Sequence, residues 1–196
     1  MLNFPLKLQF KIALAPQIFV TDAAEQSVFM VRQKLFKFKE AVTVFQDTAQ
    51  TKPLYYINAD RIIDFSARYR FTDLNGKELG SVKRVGMRSL WKAHYDIYLG
   101  NDDTPDFTVQ EENPWVKVLD AIAGEIPILS MFTGYIFNPA YLVRNKEENT
   151  TIRLSKDPSF IGRRFSITAL ENLEDNAQTT IILSLMMITL LERTRG

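Results

Sequence analysis

Near its end the chain reads Ala177-Gln178-Thr179-Thr180-Ile181-Ile182-Leu183-Ser184-Leu185-Met186-Met187-Ile188-Thr189-Leu190-Leu191. Asp175 and Asn176 just before it are good helix caps. From Ile181 to Leu191 no side chain is charged. Ser184 and Thr189 carry small hydroxyls that can bond back to carbonyls of their own helix. A helix apolar on every side must be surrounded by apolar material, either lipid or protein. A bilayer core about 30 Å thick asks for about 20 apolar residues. Ile181 to Leu191 covers about 16 Å at about 1.5 Å per residue, and counting from Ala177 gives about 22 Å. The length therefore selects a helix buried in protein. A closed sheet wrapped around it satisfies every face and leaves no strand edge exposed.

The rest of the chain supplies such a sheet. Phe65, Ala67, Tyr69 and Phe71 alternate with Ser66, Arg68 and Arg70. Trp91, Ala93, Tyr95, Ile97 and Leu99 alternate with Lys92, His94, Asp96 and Tyr98. Period-two alternation gives one buried and one wetted face, as antiparallel sheets permit. Further strands are expected at the N-terminus and at Lys34 to Phe38, Val42 to Phe45, Leu54 to Ile57 and Phe107 to Val109. Others are expected at Gly134 to Phe137, Ala140 to Val143, Thr151 to Leu154 and Arg164 to Leu170. Asn75-Gly76 favours a tight hairpin, because both residues tolerate positive φ. Pairing outward from it sets Tyr69 opposite Val82 and Arg68 opposite Lys83. It also sets Arg84 opposite Ala67 on the buried face, so a bulge near Val82 to Val85, or a longer loop, is expected. Asn113-Pro114 starts a short amphipathic helix carrying Trp115, Val118, Leu119 and Ile122 and ending at Gly124. The fold class is thus mainly β (α+β). It is a closed antiparallel β-barrel around a hydrophobic C-terminal helix, with one short amphipathic helix, in a single domain spanning residues 1–196.

Composition removes several functions. Twenty-four basic and 23 acidic residues give a net charge of +1, no concentrated basic footprint for nucleic acid. Without cysteine there are no disulfides, thiolate nucleophiles or Cys-based zinc sites. With His94 as its single histidine, the chain has no His-rich metal site and only one base for a nucleophilic triad. His94 lies on the polar face of its strand, where an ordinary exposed side chain is expected. No P-loop, G-x-G-x-x-G or G-x-S-x-G is present. The loop Gly100-Asn101-Asp102-Asp103-Thr104-Pro105-Asp106 is acidic but lacks the glycine and terminal glutamate of an EF-hand, so it reads as a solvated turn. Asn138-Pro139-Ala140-Tyr141 reads as a Pro-initiated turn. Met1-Leu2-Asn3-Phe4-Pro5-Leu6-Lys7 lacks the form of a signal peptide, which makes the cytoplasm the expected location. No cofactor and no metal are expected.

Three segments together carry a family resemblance. They are Lys34-Leu35-Phe36-Lys37-Phe38-Lys39-Glu40 followed by Val42-Thr43-Val44-Phe45-Gln46-Asp47, then Phe65 to Leu79 with its "D-x-x-G-x-x-(apolar)" ending, and the closing apolar helix. The pattern resembles the tubby C-terminal-like superfamily, which includes the LURP-one-related proteins and the phospholipid scramblases. The resemblance implies a barrel of about a dozen strands with a hydrophobic helix through its centre. The stretch from Asp106 to Pro127 has no counterpart in that pattern. Neither a proline- or cysteine-rich leader nor a clear calcium-binding segment of the scramblase kind is read in these residues, so scramblase activity is not expected to follow from a shared fold.

Basic residues lie close in sequence at Lys83, Arg84, Arg88 and Lys92, beside Arg68 and Arg70. If Arg68, Arg70 and Lys83 share an outer face, they repel one another unless an anion or carboxylates offset them. A phosphate headgroup is one such anion, and the resemblance points the same way, because tubby domains bind phosphoinositides through basic residues on the barrel. The expected function is a non-enzymatic binding or scaffolding domain for anionic membrane lipid or a protein partner, peripheral to the membrane. The alternatives are a scramblase-like lipid transporter with a membrane-inserted C-terminal helix, or a carrier or enzyme working from a pocket at the barrel rim.

Overall fold

The structure is a computed structural model that describes residues 2–11, 17–32, 42–61, 67–85, 94–112, 140–157 and 163–193. Among these residues the chain forms β1 (Leu6–Lys11), β2 (Gln17–Thr21), β3 (Ser27–Arg32), β4 (Val42–Phe45), β5 (Pro53–Ala59) and β6 (Arg68–Asp73). There follow β7 (Glu78–Arg84), β8 (His94–Leu99), β9 (Phe107–Glu111), β10 (Ala140–Asn145), β11 (Thr150–Lys156), β12 (Arg163–Ala169) and the helix α1 (Asp175–Arg193). Every strand pairs antiparallel with its neighbours in sequence, and β12 pairs with β1 to close the barrel.

Alternation builds the wall. Leu6, Leu8 and Phe10 of β1 are buried while Lys7 and Lys11 are exposed, and Tyr95 and Ile97 of β8 point inward between half-buried His94 and Asp96. Twelve strands roughly 4.8 Å apart and tilted by about 40° close at a radius of about 12 Å. A helix with its side chains occupies a radius of about 5–6 Å, and the inward-facing side chains fill the remainder.

Helix α1 occupies that space. Ile181, Ile182, Leu183, Leu185, Met186, Met187, Ile188 and Leu190 are 0–2% exposed and belong to one core with the inward row of the strands. Its hydroxyls bond as the sequence suggests. Ser184 Oγ donates to Thr180 O at 2.7 Å, and Thr189 Oγ1 donates to Leu185 O at 2.8 Å. Thr180 Oγ1 reaches the wall itself, donating to Leu79 O at 3.3 Å. At the helix start, buried Gln178 donates from Nε2 to Leu173 O at 2.7 Å and accepts the Leu2 N–H at 3.4 Å. The apolar side chains therefore face strands. Among the described residues no helix is long and apolar enough to cross a membrane.

The Asn75-Gly76 hairpin has the expected pairs Tyr69–Val82 and Arg68–Lys83. Its bulge lies at the turn end, between Phe71 and Thr72, rather than at Val82 to Val85. β6 begins at Arg68, so its ladder ends before Ala67, and Arg84, paired with inward-facing Tyr95 on β8, stays on the inner face, half-buried at the end of its strand. The turn itself is a three-residue loop in which Gly76 has φ 81°. Asp73 Oδ1 organises it by accepting the N–H groups of Asn75 at 2.8 Å and Lys77 at 2.9 Å. The same device follows β2 and β10. Asp22 accepts from Ala24 and Gln26, and Asn145 accepts from Glu147 and Asn149. Glu25 (φ 60°) and Glu148 (φ 63°) take the position of Gly76. Each of these hairpins has a register shift just before its Asx residue.

β2 and β3 go unread in the sequence. Phe19 and Met30 pair on their outer face, and Met30 is buried, so period-two polarity is lost there. The expected strands at Lys34 to Phe38 and Gly134 to Phe137 and the amphipathic helix from Asn113 to Gly124 lie outside the described residues.

The turns at the end where α1 starts, residues 22–26, 46–52, 74–77, 100–106, 146–149 and 170–174, carry ten Asp or Glu against three Lys. With a net charge of +1 for the whole chain, everything else is on balance basic.

Candidate functional site on the outer face of strands β6 to β8

Among the described residues α1 and the inward side chains of the strands form one core, and the polar side chains of β6 to β8 lie on the outer face of the wall. Arg68 and Arg70 are two residues apart on β6 and point outward, while their neighbours Tyr69 and Phe71 point in. Across on β7, Lys83 stands opposite Arg68 and Ser81 opposite Arg70. Across again on β8, Asp96 stands opposite Lys83 and Tyr98 opposite Ser81. The fold thus brings Arg68, Arg70 and Lys83 together on one face.

Their surroundings differ. Arg70 Nη1 donates to Glu78 Oε1 at 2.8 Å, so this guanidinium is already paired on its own hairpin. Arg68 lies over the Tyr98 ring, with Cζ 4.1 Å from the ring centroid, and its Nη1 is 3.6 Å from Asp103 Oδ1. Lys83 has Arg68 on one side and Asp96 on the other. Tyr98 faces outward yet is only 6% exposed. Burial and the Asp96 carboxylate push its phenol above the usual range, against an opposing pull from Arg68.

Beside this face runs a polar chain. Gln110 Nε2 is 3.1 Å from His94 Nδ1, His94 Nε2 is 3.3 Å from Asp96 Oδ1, and Tyr98 OH donates to Asp96 Oδ2 at 3.4 Å. Gln110 and Asp96 hold the imidazole from both nitrogens. His94 lies opposite the Val85 end of β7, since Val85 N donates to its carbonyl. Ser81 is four residues away along that line, too distant to form a nucleophile pair with the imidazole. In the acidic loop, Asp106 accepts from Leu99 N and from Lys146 Nζ, both at 2.8 Å. That hydrogen bond and the carboxylate charge raise the Lys146 ammonium's pKa. Among the described residues no group of three or more His, Asp or Glu is arranged to hold a metal ion.

Sequence reasoning gathered the three cations and missed Ser81, Tyr98 and Asp103. Tyr98 and Asp103 flank the β8 turn, and only the register shows that Arg68 reaches them. Arg88 and Lys92 lie outside the described residues.

Comparison with known proteins agrees with this architecture. The family model described as LURP-one-related matches residues 27–182. A protein from Arabidopsis thaliana with a crystal structure superposes with a TM-score of 0.52 at 15% identity, over 100% of this chain and 94% of that one, and shares its fold. No curated protein matches the chain. The matched segment runs from β3 through the first turns of α1, so β1, β2 and the rest of the helix complete a barrel whose defining part is recognised: the chain belongs to the LURP-one-related family, within the tubby-like superfamily.

Proposed function

We propose that this chain is a non-enzymatic binding module that meets an anionic phospholipid surface through the outer face of β6 and β7. The observation that carries the reading is the direct cross-strand pairing of Arg68 with Lys83, beside Arg70. Like charges set opposite one another destabilise a sheet, and an external anion would relieve that repulsion. Two further features support it. The lumen is occupied by α1, which directs ligand recognition outward. The turns at the α1 start are strongly acidic, and an anionic surface repels that end and turns the basic remainder toward itself.

Flotation with phosphatidylcholine vesicles, with and without anionic lipid, tests the proposal. Binding is expected only with anionic lipid and is expected to weaken as salt rises. The triple exchange Arg68→Glu, Arg70→Glu and Lys83→Glu is expected to abolish it while the far-UV circular dichroism stays unchanged. Equal failure to bind both vesicle types would remove the membrane reading. The rival lipid-transport reading requires α1 to leave a core where each fully buried Ile, Leu or Met contributes about 1.5–3 kcal/mol.

A further inference from the structure

Ser81 lies at the centre of the basic face, between Arg70 on β6 and Tyr98 on β8. It is 1% exposed, and its Oγ has no hydrogen-bond partner. A buried hydroxyl without a partner is unfavourable, so its presence here calls for a use. The register shows what covers it. Arg68 starts on β6 and stacks on Tyr98 of β8, so its side chain crosses β7 between Lys83 and Ser81. The arginine side chain is 15% exposed, and it ends 3.6 Å from Asp103, whose side chain is 99% exposed. An ion pair with one partner so fully hydrated is weak and readily exchanged.

Resting on the reading above, we propose that the anion is a phosphomonoester that draws Arg68 away from Asp103 and off Ser81, and then accepts hydrogen bonds from the Arg68 guanidinium and the Ser81 hydroxyl. Three donors stand at neighbouring positions of this face: the planar guanidinium fork of Arg68, the ammonium of Lys83 opposite it and the Ser81 O–H two residues along β7. A phosphomonoester offers three terminal oxygens and close to two negative charges, which matches that set. A phosphodiester has only two free oxygens and one charge. Asp103 is then a built-in competitor, and Ser81 a residue that selects the monoester.

The test uses the full chain with phosphatidylcholine vesicles containing either phosphatidic acid, which bears a monoester, or phosphatidylserine, which bears a diester. Wild type is expected to prefer phosphatidic acid. Asp103→Asn is expected to tighten that binding by about two- to fivefold at low salt, with the gain fading as salt rises. Ser81→Ala is expected to weaken it by about three- to tenfold and to erase the preference, while thermal stability stays level or rises because an unpaired buried hydroxyl is gone. A Ser81 with a merely structural role would lower stability and leave the preference intact. Titration with inorganic phosphate, followed by near-UV circular dichroism, separates the sources: binding without vesicles supports a soluble phosphate ligand, and vesicle-only binding supports a lipid headgroup. If the Glu triple variant loses vesicle binding but Ser81→Ala and Asp103→Asn change neither affinity nor preference, the inference is overturned and the binding-module reading stands. If wild type binds neither vesicle nor phosphate, both fall.

Discussion

Gly80 sits where the wall comes close to both the neighbouring strand and the helix. A Cβ built there would collide with the backbone oxygen of Tyr98 and come within 2.7 Å of Thr180 Cγ2. The backbone oxygen cannot turn aside as a flexible side chain would, so Gly80→Ala is expected to destabilise the protein by about 1–3 kcal/mol in chemical denaturation. Three tyrosines give a second residue-scale handle. Burial raises the phenol pKa of Tyr55, Tyr69 and Tyr98, with Asp73, Asp60 and Asp96 adding to it. A raised folded pKa means the folded state keeps its proton longer than the unfolded chain. The associated stability is whole below the unfolded value of about 10 and is lost as pH rises through the folded values. Absorbance titration is expected to show tyrosines ionising later than in denaturant, with stability falling above about pH 10. Ionisation of every tyrosine at the ordinary pH would contradict the burial described. The burial of Tyr69 was legible from its alternation with Arg68 and Arg70, whereas that of Tyr98 was not, because Tyr98 alternates with inward residues and yet is covered by Arg68, a cross-strand contact that pattern alone does not encode.

The hairpins show what the elements disclose and what they conceal. Asn75-Gly76 announces a turn, but the two-residue type I′ loop that this pair favours needs positive φ at both positions. Here only Gly76 has it, because Asp73 gathers the N–H groups of Asn75 and Lys77 into a three-residue loop. The equivalent turns with Glu25 and Glu148 lack glycine, so they carried no comparable signal. Gly76→Ala is expected to cost about 1 kcal/mol, while Glu148→Gly is expected to be neutral or stabilising. Thermal melts of the two variants check this, and a stabilising Gly76→Ala would contradict the assigned conformation. The strands followed their alternation wherever the outer face is polar, as in β6 and β8. β2 and β3 escaped notice because Phe19 and Met30 make their outer face apolar as well.

For the molecule as a whole, the decisive inference came from length and charge in one segment. A run from Ile181 to Leu191 without charge is too short for a bilayer and too apolar for a surface, so the chain's own strands must enclose it. The candidate site was legible only in part. Its cations are near one another in sequence, and Ser81 lies beside Lys83, but the burial of the Ser81 hydroxyl and the reach of Arg68 to Asp103 come only from registers across three strands. The most direct test of the enclosed helix exploits the absence of cysteine. Ser184→Cys places one near-isosteric thiol on α1 in the lumen, and its rate of modification by a water-soluble maleimide is measured with and without denaturant. The expected result is protection in the native protein, with or without lipid vesicles, and full reaction on unfolding. Rapid labelling of the native protein, or protection that appears only when vesicles are added, would contradict a helix sheathed by its own barrel.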